Sequence, residues 1–155
     1  MPHLHEKMDF CAETFIVYKN TVLLRKHDKL KRWLSVGGHI ELYEDPSEAA
    51  VREVKEEVGL DVELYQEAGR QPIFHGDNRS VIAPQYLNRH RITTEHEHTA
   101  FVYFAKAKTN ELNLSATEIT DGCKWFTKEE LLGDNEGLSE DIKFYALKAL
   151  EKLAE

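Results

Sequence analysis

A chain of 155 residues with 41% apolar and 31% charged side chains has the composition of an ordinary folded domain, long enough to bury roughly two thirds of its unfolded surface. Lys and Arg number 20 against 28 Asp and Glu, a formal net charge of −8; this speaks against a general binder of nucleic-acid backbones but leaves room for phosphate contacts made through a metal ion. No run approaches the ~18 apolar residues of a membrane span and Met1–Phe10 lacks the apolar core of a signal peptide, so the expectation is one cytoplasmic domain over residues 1–155, with Cys11 and Cys123 as reduced thiols rather than a disulfide.

Phe10–Tyr18 is rich in β-branched and aromatic residues and reads as a strand. Lys19-Asn20 is a turn signal, and Thr21–Arg25 reads as the returning arm of a hairpin. His27–Arg32 is charged and reads as an exposed loop before the short apolar run Trp33–Val36. Asp45-Pro46-Ser47-Glu48 is a helix start, with Asp45 as N-cap, Pro46 in the first position and Glu48 completing a capping box. That helix runs to about Val58, with Gly59 as its left-handed end. Val62–Tyr65 can start another strand, and Gln66–Asn88 reads as a loop holding one strand. Thr99–Ala105 and Gly122–Phe126 are further strands. Thr127–Glu130 is a second capping box, and Ser139 opens a last helix with Ile142, Ala146, Ala149, Leu150 and Leu153 at helical spacing. The sum is an α/β sandwich built on a mixed sheet.

The chemistry concentrates in Gly38–Leu60. Glu53, Glu56 and Glu57 stand at i, i+3 and i+4 and share one helical face, beside a stripe of Ala50, Val54 and Val58 that faces the core. Carboxylates this close repel one another, and a bound cation removes the penalty. Their hard oxygen donors suit Mg²⁺ or Mn²⁺. Gly37-Gly38 allows close backbone approach, so that a carbonyl can join them, and Arg52 can pair with Glu48 and Glu56 at i ± 4. Taken alone, the same residues also describe a solvated acidic helix.

Gly38, Glu44, Arg52-Glu53-Val54, Glu56-Glu57, Gly59 and Leu60 fill every fixed and both aliphatic positions of a longer pattern. On these residues the segment resembles the Nudix (MutT-like) box, a far more specific signal than a lone glycine-rich motif. The preceding hairpin and Trp125-Phe126…Glu129-Glu130-Leu131 are similar to the rest of such a domain. The resemblance implies an α/β/α sandwich with a mixed β-sheet. It implies metal-dependent hydrolysis of a nucleoside diphosphate linked to another moiety, with Mg²⁺ or Mn²⁺ as cofactor. By position, Glu53 and Glu57 would be the principal metal ligands, Glu56 a further ligand or the residue that activates water, Glu44 a support of the loop or of an outer metal shell, and Arg52 the residue that orients the glutamates. A carbonyl of Gly37 or Gly38 would face the metal. The general base stays open among Glu56 and the outside candidates Glu95, Glu97 and Glu118. Val36 stands where a proline often precedes the glycines. Gly76, Asp77 and Asn78 carry no proline or tyrosine that would mark a substrate subfamily, and a homodimer is compatible with the resemblance alone. The rival readings are a non-catalytic nucleotide sensor on the same fold and an isopentenyl diphosphate isomerase, the latter disfavoured by the lack of a cysteine near the box.

Outside the box, His96-x-His98 puts two imidazoles on one face of a strand. As a zinc pair they lack a third ligand nearby in sequence; they can equally meet phosphate or cover the sheet. His3-x-His5 reads as a frayed terminus. His39 either meets phosphate or flanks the glycine loop. Arg25, Lys26, Lys29, Lys31 and Arg32 form a basic patch that can receive an anion. Trp33, Phe74, Tyr86 and Tyr103 can stack on a base, although core packing is the commoner use of such residues.

Overall fold

A computed structural model describes residues 7–69, 73–114 and 120–155. His3, His5 and Glu118 lie outside the described residues. The chain runs β1 (Met8–Tyr18), β2 (Thr21–His27), β3 (Trp33–Leu34), β4 (Val36–His39), α1 (Pro46–Val58), β5 (Val62–Leu64), β6 (Phe74–His75), β7 (Asn78–Arg79), β8 (Tyr86–Arg91), β9 (Glu97–Ala107), β10 (Thr120–Thr127), α2 (Lys128–Leu132) and α3 (Glu140–Leu153).

One mixed sheet takes the order β10-β2-β1-β9-β5, with β3 added to β2, β4 to β1 and β8 to β9. β1 and β9 pair in parallel over nearly their whole length, from Met8 against Glu97 to Val17 against Lys106, and the other pairings are antiparallel. Two partners share the second edge of β1: β2 takes Ile16–Tyr18 and β4 takes Cys11–Thr14. This split brings Gly37 and Gly38 alongside the middle of the central strand.

β1 is buried on both faces, which is why it reads as a nearly unbroken apolar run. Alternation sends Ala12 and Ile16 to one side, where Ala49, Ala50, Val54 and Val58 of α1 cover them with Tyr103 and Ala105. Phe15 and Val17 face the other side, against Ile142, Ala146, Ala149 and Leu150 of α3 and Phe104 and Phe126 of the sheet. The sheet is thus flanked by a helix on each face.

The α1 termini follow the sequence: Asp45 accepts from the Ser47 and Glu48 amides at 2.8 and 3.0 Å, Glu48 accepts from the Asp45 amide at 2.9 Å, and Gly59 adopts φ 72°. Three expectations need correction. The 66–88 region holds two short strands, β6 and β7, and the start of β8, rather than one strand. Ser139 occupies the N-cap of α3 without a side-chain capping bond. Gly37-Gly38 is not a loop beside the apolar run but part of β4. Both cysteines are free. Among the described residues no helix is long and apolar enough to cross a membrane.

Candidate active site

Arg52 organises the box. Its Nε and Nη2 reach the two oxygens of Glu44 at 3.0 and 2.6 Å, a bidentate pair, and Nη2 also donates to the His39 carbonyl at 3.0 Å. Nη1 donates to Glu53 at 2.9 Å and to Glu56 at 3.2 Å. The sequence spacing pairs Arg52 with Glu48; instead Glu48 is committed to the helix cap, and Glu44 arrives from the loop before α1. The bonds from Arg52 hold the Glu44 carboxyl below the usual carboxylate range, and Glu44 and Glu53 in turn hold the guanidinium charged.

Glu53 and Glu57 are buried, whereas the Glu56 side chain is 59% exposed, so the three do not share one environment. Glu57 accepts from Arg25 Nη1 at 2.7 Å, which draws one member of the basic patch into the site. Glu53 lies against Gly38: a Cβ there would stand 2.4 Å from Glu53 Oε1. The glycine's missing side chain is the space the carboxylate occupies. Neither Gly37 nor Gly38 has positive φ, so close approach rather than backbone freedom requires glycine at both.

The family model described as NUDIX domain matches residues 14–148. The chain belongs to the Nudix family. A NUDIX-family hydrolase from Clostridium perfringens is 33% identical, with a TM-score of 0.81 over 96% of this chain and 98% of that one. An ADP-ribose pyrophosphatase from Streptococcus suis (17% identity, TM-score 0.57, 95% and 96% covered) and an Ap4A hydrolase from C. elegans (20%, 0.59, 93% and 93%) share the fold. The protein is therefore a Nudix hydrolase with a mixed sheet between helices, as the box implies.

The other sequence candidates scatter. Glu95 is exposed in the turn before β9, and Glu97 is engaged by Arg89 and, at 3.9 Å, by Arg91. Tyr103 is buried in the core and donates to the Ile82 carbonyl. Trp33 packs edge-on against Phe126, with Lys26 above its ring, and Tyr86 sits among Phe104, Phe144 and Tyr145. Phe74 is exposed. His39 does not point along the glycine strand toward the box. It turns to the opposite face, 3.3 Å from Asp9, where His96 and His98 also gather.

Sequence reasoning missed the polar positions of β1. Asp9, Cys11 and Glu13 alternate toward the face that Phe15 and Val17 continue, and polar residues at three alternate positions in the first half of this strand were the available signal. Burial and the nearby Asp141 push Glu13 up to about 7. The folded state therefore holds this proton more tightly than the unfolded chain does, and the stability it contributes is present below pH ~4.5 and lost as pH rises through about 7. Glu13→Gln removes that slope: its urea midpoint falls less than the wild type's between pH 5 and pH 8. Equal falls in the two proteins would contradict this.

Proposed function

We propose that the chain hydrolyses the pyrophosphate bond of a nucleoside diphosphate linked to another moiety, in a divalent-metal-dependent reaction. The observation that carries this reading is the pair of buried carboxylates, Glu53 and Glu57, one turn apart on α1, with the Glu53 carboxylate lodged in the space left by Gly38. Burying two carboxylates together is costly unless cations sit beside them. Arg52 and Arg25 supply part of that compensation, and the hard oxygen donors fit Mg²⁺ or Mn²⁺.

In this reading Glu53, Glu57 and a carbonyl of Gly37 or Gly38 would hold the metal, with Glu56 beside them. The ion would supply positive charge against the diphosphate and acidify a water. Arg52, pinned by Glu44, fixes Glu53 and Glu56 in orientation. Glu56 is exposed, adjacent to the buried pair and held at 3.2 Å by Arg52, and we assign it the proton taken from the attacking water. The chain's fold relatives include proteins named for ADP-ribose and Ap4A, and both compounds belong to the substrate class proposed.

The test is a panel of nucleoside triphosphates, nucleotide sugars, ADP-ribose and dinucleoside polyphosphates at slightly alkaline pH, with phosphate, pyrophosphate and mononucleotide read separately. Turnover of one class, abolished by chelator and restored by Mg²⁺, is expected. Nucleotide binding without turnover of any class would favour the sensor reading. Within the site, Arg52→Lys keeps the charge but loses the planar fork that meets Glu44 and Glu53 together. It is expected to lower kcat roughly tenfold to a hundredfold with the melting temperature nearly unchanged. Wild-type kcat in this variant would remove the positioning role.

A further inference from the structure

Gly38 and His39 are consecutive in β4, so they address opposite faces of the sheet. Gly38 receives Glu53 on the α1 face. His39 stands opposite Cys11 in the β1–β4 register and faces the other side. There the sheet assembles a second, chemically different cluster. β1 supplies Asp9 and Cys11, β9 supplies His98 opposite Asp9, β8 supplies His90 opposite His98, and His96 closes the turn into β9. The Asp9 carboxylate is buried, with His96 Nε2 at 3.1 Å and His39 Nε2 at 3.3 Å from the same oxygen. The His98 ring lies 5.2 Å from both His39 and His96, and 5.5 Å from His90. One donor atom each from Asp9, His96 and His98 lie within 4.8 Å of one another, and so do donors from Cys11, His39 and His98.

We propose that Asp9, His96 and His98 form a zinc site, with His39 as the fourth ligand, separate from the carboxylate site on α1. The third ligand that His96-x-His98 lacks in sequence comes from β1 through the parallel β1–β9 pairing. Imidazole nitrogen and carboxylate oxygen are the donors zinc accepts in tetrahedral geometry, whereas Mg²⁺ prefers all-oxygen shells. In such a site donors stand roughly 3.4 Å apart for metal–ligand bonds of ~2.1 Å. Cys11, whose sulfur lies within 4.8 Å of donor atoms on His39 and His98, is the other candidate for the fourth place. The ion would tie the start of β1 to the β8–β9 edge and to β4, bracing Gly37-Gly38 from behind.

The experiment uses the untagged chain of residues 1–155, stripped with chelator and titrated with Zn²⁺ and with Co²⁺. A Glu53→Gln/Glu57→Gln background removes the two buried box carboxylates assigned to the metal, so zinc retained there does not depend on the hydrolase reading. About one equivalent of Zn²⁺ that survives gel filtration in this background is expected, with an intense visible Co²⁺ spectrum of a four-coordinate site and a higher melting temperature on loading. Asp9→Asn and His98→Gln, each checked by circular dichroism, are expected to weaken zinc binding by at least a hundredfold. If either variant fails to fold, X-ray absorption on the zinc-loaded background protein decides, with histidine scattering around the ion expected. Loss of zinc binding in the background protein, wild-type affinity in folded Asp9→Asn and His98→Gln, or absorption without histidine scattering would each overturn the proposal.

Discussion

Glu57→Gln is expected to lower kcat at least a thousandfold while the protein stays folded. The substitution keeps the side chain's volume in its buried position on α1 and removes only its charge. Metal-held charge stabilisation is worth several kcal/mol at the transition state, and about 4 kcal/mol corresponds to a thousandfold in rate. Stability is pulled two ways. Arg25 loses its anionic partner at 2.7 Å, which destabilises. Glu53 loses a like-charged neighbour one turn away, which offsets part of that cost. Steady-state kinetics and thermal melts with and without Mg²⁺ separate the terms. The wild type should gain melting temperature on adding Mg²⁺ and the variant should gain little. Undiminished turnover in Glu57→Gln would sink the proposed assignment of the metal ligands.

The two glycines of β4 are expected to respond to alanine in opposite ways. In Gly38→Ala the new methyl meets Glu53 Oε1 at 2.4 Å and its Cδ at 2.5 Å. A carboxylate can swing aside, so the fold survives. But this carboxylate is held by Arg52 at 2.9 Å, and a displacement near 1 Å in a catalytic group costs about a hundredfold in rate. In Gly37→Ala the methyl meets the Ala12 carbonyl oxygen at 2.2 Å and Glu13 Cα at 3.0 Å, both backbone of the central strand. Neither atom can yield without breaking the β1–β4 ladder, so the cost falls on stability, roughly 1–3 kcal/mol or more. The paired measurement is kcat and denaturation midpoint for both variants. A Gly38→Ala enzyme with wild-type kcat would mean that Glu53 does not need its observed position.

What the sequence made legible was what local chemistry determines. Asp45, Pro46 and Glu48 set the start of α1 within one turn, and Gly59 ends it, because caps are decided by neighbours in the chain. The β1–β2 hairpin, β9 and β10 were readable from β-branched and aromatic runs. The box was readable through its resemblance to a family pattern; helical spacing alone groups only Glu53, Glu56 and Glu57. The β6–β7 hairpin escaped notice because Phe74, His75, Asn78 and Arg79 are all exposed, so no buried face imposes alternation. Of the two partners expected for Arg52, Glu56 is found and Glu48 is not, for a related reason. Helical spacing offers Glu48, but the loop path that brings in Glu44 is not periodic. The opposite-face cluster needed strand register, since Asp9 and His98 become neighbours only through the β1–β9 pairing. Of the candidate site, the structure brings together Glu44, Arg52, Glu53, Glu56 and Gly38, with Glu57 on the same helix, and leaves Glu95 and Glu97 elsewhere.

The central strand precedes its longest partner by some ninety residues of chain, Met8 pairing with Glu97 and Val17 with Lys106. During synthesis the β1–β2 hairpin and α1 can form early, yet one whole edge of β1 waits for β9. Parallel pairing across such a separation is slow, and until it happens Phe15, Ile16 and Val17 border an open row of backbone donors and acceptors. A chain cut short before Ala107 is therefore not a smaller version of this protein but an unsealed template for strand addition, prone to self-association. Ribosomal progress through β9 closes that edge, and α3, made last, then covers Phe15 and Val17 on the remaining face.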